Sequence, residues 1–176
     1  MAKTVVVFRS EYGSTKRYAA YIAEKLQADL FSTEEAKEIS SYDTIIFGGG
    51  IYAGALNGAD WLKKNQETLS HKKLILFTCG LSNPQEPKNL ESIHAGLQKC
   101  LTEELFHHAQ IFSFQGALDY KKLKFTYKGI MTVVFQALKH KKERSAEEDV
   151  MLKSREMAVD FVDVSKTEDL ISLVKE

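Results

Sequence analysis

Two cysteines, two prolines and one tryptophan are all that this chain of 176 residues holds of the side chains that most sharply staple, break or anchor a fold. Cys79 and Cys100 lie far apart and form no ligand spacing with each other, which excludes a disulfide framework and a zinc site; two free thiols in a reducing compartment are the expectation. Scarce proline and 44% hydrophobic content exclude a disordered, proline-rich chain. No run approaches the ~18 apolar residues of a membrane span. Met1-Ala2-Lys3-Thr4 leads directly into a strand pattern, without the apolar segment and small-residue cleavage site of a secretory leader, so a cytoplasmic protein is expected. Net charge is also missing, with 24 basic and 24 acidic residues. The balance hides an asymmetry. Residues 121–144 carry eight lysines and arginines against Glu143 alone, a net charge of +7, which leaves the rest of the chain at −7. Such a separation concerns partners rather than fold.

What the chain does have is alternation. Short apolar runs at 4–8, 29–32, 44–48, 73–78 and 111–116 read as strands, and the patterns at 14–27, 57–69, 90–105 and 146–162 read as helices. Ser145-Ala146-Glu147-Glu148 has the form of a capping box opening the last of these. Strands alternating with helices imply parallel strands joined by right-handed crossovers. Five of them predict a flavodoxin-like three-layer α/β sandwich with a parallel sheet of order 2-1-3-4-5. One domain spanning 1–176 is expected, interrupted by a basic and apolar insertion at 118–144, before the last helix.

Ligands of such sheets bind beyond the carboxyl ends of the strands. After the first strand comes Ser10-Glu11-Tyr12-Gly13-Ser14-Thr15, small and rich in hydroxyls, opening onto a helix. Backbone amides, the positive end of the helix dipole and the hydroxyls suit a phosphate monoester; a plain turn with a Ser or Thr helix cap is the competing reading. The Walker string G-x-x-x-x-G-K-[ST] is absent, and only Gly13 stands where a dinucleotide fingerprint needs three glycines. The third strand ends in Gly48-Gly49-Gly50-Ile51-Tyr52-Ala53-Gly54 and the fourth in Thr78-Cys79-Gly80-Leu81-Ser82-Asn83. Small residues at all three ends, with one aromatic ring, suit a flat conjugated ligand. A phosphoacceptor domain of the same sheet order needs an aspartate after the third strand, where the chain reads Phe47-Gly48-Gly49-Gly50, and is excluded.

On these three loops the chain resembles the flavodoxin family, which binds FMN. The resemblance implies that Ser10, Tyr12, Gly13, Ser14 and Thr15 hold the phosphate, with the Glu11 carboxylate turned outward. It further implies that Gly49, Gly50, Ile51, Tyr52, Ala53 and Gly54, with Thr78, Cys79, Gly80, Leu81 and Asn83, border the isoalloxazine, and that Tyr120 is a second aromatic candidate. Cys79 reads as a small buried hydrophobe at a strand end in preference to a redox thiol near the ring edge. The five histidines show no metal spacing, and no metal is expected.

Gly116-Ala117-Leu118-Asp119-Tyr120, followed by the basic and aromatic insertion, is similar to the quinone-dependent protoporphyrinogen oxidases of the same superfamily, which have Arg-Tyr-Gly where this chain reads Tyr52-Ala53-Gly54. That resemblance implies an FMN-dependent oxidoreductase with a small-molecule substrate, a quinone as electron acceptor, and peripheral contact at the inner face of a membrane through 121–144. The other reading is a soluble electron-transfer flavodoxin served by redox partner proteins. The apolar residues from Gly129 to Leu138 suit a membrane surface, an acidic partner, a tetrapyrrole with propionates, or simply the protein core. Nucleic acid is not an expected partner, because no recognition motif is present and the remaining surface is acidic.

Overall fold

The computed structural model describes residues 3–176. The strands run Thr4–Arg9 (β1), Asp29–Ser32 (β2), Thr44–Tyr52 (β3), Ala55–Leu56 (β4), Lys73–Gly80 (β5) and Gln110–Gln115 (β6). Five are parallel in the order β2-β1-β3-β5-β6, and β4 folds back antiparallel on the end of β3. Counting only the five parallel strands, this is the predicted 2-1-3-4-5 order. The central strands read as near-continuous apolar runs because both faces are covered. Side chains alternate between two cores. Val5, Val7, Ile45, Phe47, Leu74 and Leu76 face one way, and Val6, Ile46, Ile75, Phe77 and Phe114 the other.

On the first face lie Ala59–Lys64 (α2), Gln66–Leu69 (α3), Pro87–Cys100 (α4) and Glu103–His108 (α5). Trp61, the single tryptophan, stacks on Phe47 there with centroids 5.5 Å apart. The pattern at 57–69 is two helices because Asn65 bonds its side-chain amide to the Trp61 carbonyl at 2.8 Å and interrupts the run. The pattern at 90–105 starts earlier, with Pro87 in the first turn where its missing N–H costs nothing, and breaks at extended Leu101; the Thr102 hydroxyl then caps α5.

The second face is covered by Ser14–Leu26 (α1) and Glu168–Lys175 (α8), which bury Tyr18, Ala19, Ile22 and Leu170. Here the structure departs from the sequence reading. The helix opening at Ser145 has its capping box, but Ala146–Lys153 (α7) stops eight residues in, where the Ser154 hydroxyl bonds the Met151 carbonyl. The chain then forms Val159–Asp160 (β8), antiparallel to Ala117–Leu118 (β7), and a short 3-10 turn at Val164–Thr167 before the true last helix, α8. Between β7 and β8 stand a 3-10 turn at Tyr120–Lys122, the helix Phe125–His140 (α6) and α7. These pack around a small core of their own, Leu118, Met131, Phe135 and Val159, with Tyr120 and Leu81 against it.

Tyr18 pins the return of the chain. Its hydroxyl donates to the Gln115 carbonyl at 2.7 Å and accepts from the Asp163 amide at 3.0 Å, tying α1 to the end of β6 and to the segment entering α8. Burial pushes the phenol up to about 12. Replacing it with phenylalanine leaves both backbone groups unpaired in a buried place, which costs about 1–3 kcal/mol. Tyr18→Phe is therefore expected to lower the melting temperature by roughly 2–4 °C per kcal/mol lost, as read by calorimetry; an unchanged melting temperature overturns this assignment.

Candidate functional site

The carboxyl ends of β1, β3 and β5 open into a cavity of about 560 Å³, within the range of small-molecule sites. One side is made by the loops of the sheet, the other by the insertion. At the phosphate-type loop, Ser10 points its hydroxyl inward, where it accepts from the Gly13 amide at 3.1 Å and closes the turn. Gly13 stands at φ +100°, a conformation that a Cβ strains, and it caps α1 without any side-chain hydrogen bond. Among the described residues the amides of Ser14, Thr15 and Lys16, at the start of α1, donate to no protein acceptor. Three such amides at the positive end of a helix form an anion cradle. The Ser14 hydroxyl accepts from the Ala117 amide at 3.0 Å, joining the cradle to β7.

Three carboxylates border the same cavity, Glu11, Asp119 and Asp160, and each is matched. Glu11 is salt-bridged to Lys124, Asp119 lies 3.4 Å from the Lys122 ammonium, and Asp160 lies 2.6 Å from the Arg17 guanidinium. Partial burial pushes the Asp160 carboxyl up, but the Val162 amide and Arg17 outweigh it and hold the group below its ordinary range. None of the three acids presents an uncompensated charge to an anion. The Glu11 side chain thus turns toward the insertion rather than simply outward, and the neighbouring Tyr12 hydroxyl accepts from the Lys124 amide at 3.2 Å.

At the third strand the structure is more regular than a flexible loop. Gly49 and Gly50 belong to β3 and pair with Thr78 and Cys79 of β5. They are glycine for closeness: an added Cβ would stand 2.5 Å from the Asn57 carbonyl oxygen at Gly49, and 2.6 Å from the Tyr52 ring at Gly50. The Gly50 carbonyl accepts from the Asn57 amide at 2.8 Å. The turn proper is Ala53-Gly54, a two-residue hairpin with φ of +52° and +79°, the combination that suits tight hairpins. Tyr52 closes the cavity rim with Tyr12 and Tyr127, with ring centroids 5.3–6.3 Å apart. Burial holds the Tyr52 phenol well above its ordinary range.

Of the residues expected to contact the ligand, Glu11, Tyr12, Ser14, Thr15, Ile51, Tyr52, Ala53, Cys79, Gly80 and Leu81 line the cavity. Ser10, Gly13, Gly49, Gly50, Gly54 and Thr78 do not line it; Gly54 is exposed in the hairpin turn, and the Thr78 hydroxyl is spent on Ser113 at 2.9 Å. Asn83 turns away, donating to Glu147 at 2.9 Å, and Tyr120 packs on Phe135 inside the insertion. The wall that sequence reasoning missed is the insertion's: Leu118, Leu123, Tyr127, Ile130 and Met131, with Ala158, Val159 and Asp160. The apolar run in α6 signalled part of it; 158–160 read as helix interior and gave no signal. Among the described residues no group of side chains suited to hold a metal ion occurs.

A parallel sheet of this order, with an anion cradle at its first strand–helix turn, defines a flavodoxin-like α/β protein. The family model described as flavodoxin domain matches residues 5–145, and the chain belongs to that family. No curated protein matches it. Among solved structures it is similar to a flavodoxin, WrbA-like protein from Agrobacterium tumefaciens at 25% identity and TM-score 0.44, over 64% of this chain and 83% of that one. It is similar also to oxidised flavodoxin 2 from Bacillus cereus, at 21% identity and TM-score 0.49 over 65% and 84%. A flavoprotein in complex with FMN from Lactobacillus acidophilus NCFM gives 13% identity and TM-score 0.48 over 65% and 93%.

Two measurements test the local chemistry. Cys79 is 5% exposed, and burial pushes its thiol up to about 12, only partly opposed by the Thr15 hydroxyl and Arg17. Native alkylation followed by peptide mass spectrometry should therefore label Cys100 first, and Cys79 only at the rate of unfolding. The raised pKa also has a sign: the folded state holds this proton more tightly than the unfolded thiol at 9.0, so the thiol's contribution to stability is intact below that pH and falls as pH rises toward 12. Ala53 in a left-handed turn is strained, so Ala53→Gly is expected to stabilise by about 1 kcal/mol in a denaturant titration. A loss of stability would show that the turn is not held at positive φ.

Proposed function

We propose that the chain is an FMN-dependent oxidoreductase, protoporphyrinogen-oxidase-like, that oxidises an apolar small molecule and passes the electrons to a quinone. The observation that carries this reading is the second wall of the cavity. Leu118, Leu123, Ile130, Met131 and Val159 stand opposite the β3 and β5 loops and make a chamber with an apolar side. A carrier that exchanges electrons with partner proteins needs its cofactor edge reachable from outside; a chamber lined by the insertion instead selects a small apolar guest.

In this reading the amides of Ser14, Thr15 and Lys16 hold the phosphate, and the flavin, when bound, supplies the redox chemistry. Tyr12, Tyr52 and Tyr127 give aromatic faces at the rim and exclude water there. Where the protoporphyrinogen oxidases have an arginine in the third-strand loop, this chain offers Lys122 on the other side of the chamber, its ammonium 3.4 Å from Asp119 and mostly exposed, as a cation for a substrate carboxylate.

The test is an absorbance spectrum of the protein reconstituted with FMN, titrated anaerobically with protoporphyrinogen IX and then with a menaquinone analogue. Bleaching followed by recovery is the expected result. A flavin indifferent to both that cycles with a reductase would instead make the chain an electron carrier, and failure to retain FMN would remove the cofactor assignment altogether. Gly13→Val, forced into a φ that a branched side chain disfavours, is expected to weaken FMN retention at least about tenfold. Unchanged affinity would move the phosphate elsewhere.

A further inference from the structure

At 16 residues α6 is the longest helix of the described residues, and like the others it is not long and apolar enough to cross a membrane. It is held firmly from Met131 onward and weakly before it. Met131 and Phe135 are buried in the insertion's core, and the chain enters the helix past Leu123, half-buried against the same core. Between these anchors the first turn has little support. Lys124 stands at the cap without a side-chain hydrogen bond, and the turn carries no acidic residue. Lys121, Lys122, Lys124 and Lys128 gather instead at the positive end of the helix dipole, where cations are unfavourable. Phe125, the first helical residue, is 90% exposed. Gly129 closes the turn, and no close approach requires it, because an added Cβ would stand in open space. A glycine inside a helix without a packing reason weakens the helix where it stands.

What holds this turn to the sheet is the loop of the anion cradle. Lys124 is salt-bridged to Glu11, its amide donates to the Tyr12 hydroxyl at 3.2 Å, and the Tyr127 ring meets those of Tyr12 and Tyr52 across the cavity rim. A further tie, from the Lys128 ammonium to the Lys121 carbonyl at 3.3 Å, is exposed. The Lys124–Glu11 pair is itself partly exposed and therefore weak. We infer that residues 124–128 are a gate on the chamber. The turn frays about Gly129, withdraws Tyr127 from Tyr12 and Tyr52, and opens the rim; Glu11 and Tyr12 are the latch that closes it. An anion held by the amides of Ser14, Thr15 and Lys16 adds negative charge to the loop that carries Glu11, which strengthens the pull on Lys124. Occupation of the cradle thus favours closure. This last step rests on the proposed phosphate site, whereas the gate itself does not.

The experiment is hydrogen–deuterium exchange of the full chain, without cofactor, read by mass spectrometry. Amides 128–132 bond back to the carbonyls of 124–128 and report the gate, while amides 134–139 report the anchored part of the helix. Exchange is expected to be faster at 128–132. Gly129→Ala should slow it there about fivefold, from the helix propensities of the two residues, and Glu11→Gln should speed it about two- to threefold, the worth of an exposed pair. Neither variant should change exchange at 134–139. Equal exchange in the two segments, or no slowing by Gly129→Ala, would overturn the gate; no effect of Glu11→Gln would overturn the latch. A second readout separates gating from simple fraying. Gly129 does not line the cavity, so Gly129→Ala should slow FMN association and release alike, about fivefold, and leave Kd within about twofold. Unchanged rates would show that the fraying opens nothing. If the chain retains no FMN, the cofactor reading fails, and exchange in the apoprotein still decides the gate.

Discussion

The pairing of Ala117–Leu118 with Val159–Asp160 is the constraint on which the rest of the site depends. Two residues on each side close an excursion running from 119 to 158, and closing a long loop costs only slowly more as it lengthens. The yield in organisation is large for so short a ladder. Leu118 and Val159 found the insertion's core; Asp160 reaches Arg17; the Ala117 amide meets the Ser14 hydroxyl; and Asp163 arrives at the Tyr18 hydroxyl. The last three tie the excursion to α1. The cradle and the chamber wall are thus held in register by one small antiparallel sheet.

The ion pairs across this boundary set geometry more than they set stability. Arg17–Asp160 and Lys124–Glu11 are partly exposed, and exposed pairs are individually worth little. What holds the insertion is apolar: Leu118, Met131, Phe135 and Val159, with Leu81 of the β5 loop completing the cluster. Leu81 is also a cavity residue, so filling the cavity and packing the insertion share a side chain.

Much of the fold was legible because β1, β3 and β5 are buried on both faces, which writes them as uninterrupted Val, Ile, Leu and Phe. The anion cradle was legible from Gly13 and its hydroxyl neighbours. The rest was hidden for physical reasons. Two-residue strands have no period to detect, and β7 finds β8 more than forty positions away, a pairing that is tertiary rather than local. Val150, Met151, Ala158 and Val159 mimic a single long helix although Ser154 ends it. The amphipathic pattern of Leu170, Ile171, Leu173 and Val174, which does mark α8, was consequently passed over. At β3 the apolar run stops at 48, yet Gly49 and Gly50 continue the strand, held by ladder partners on β5 and by the close approach of Asn57 and Tyr52.

Trp61 stacks on Phe47 in the core on the α4 side of the sheet, whereas the insertion and its small core are built of other aromatic residues. Its emission therefore reports the environment of one layer of the sandwich. The insertion is expected to loosen or order with little change in that signal, and tyrosine, concentrated at Tyr12, Tyr52, Tyr120 and Tyr127, becomes the native fluorophore for events at the cavity. Indole light thus reports the α4-side layer of the sandwich, while phenol light is shared between the roof and Tyr18, Tyr21 and Tyr42 of the sandwich.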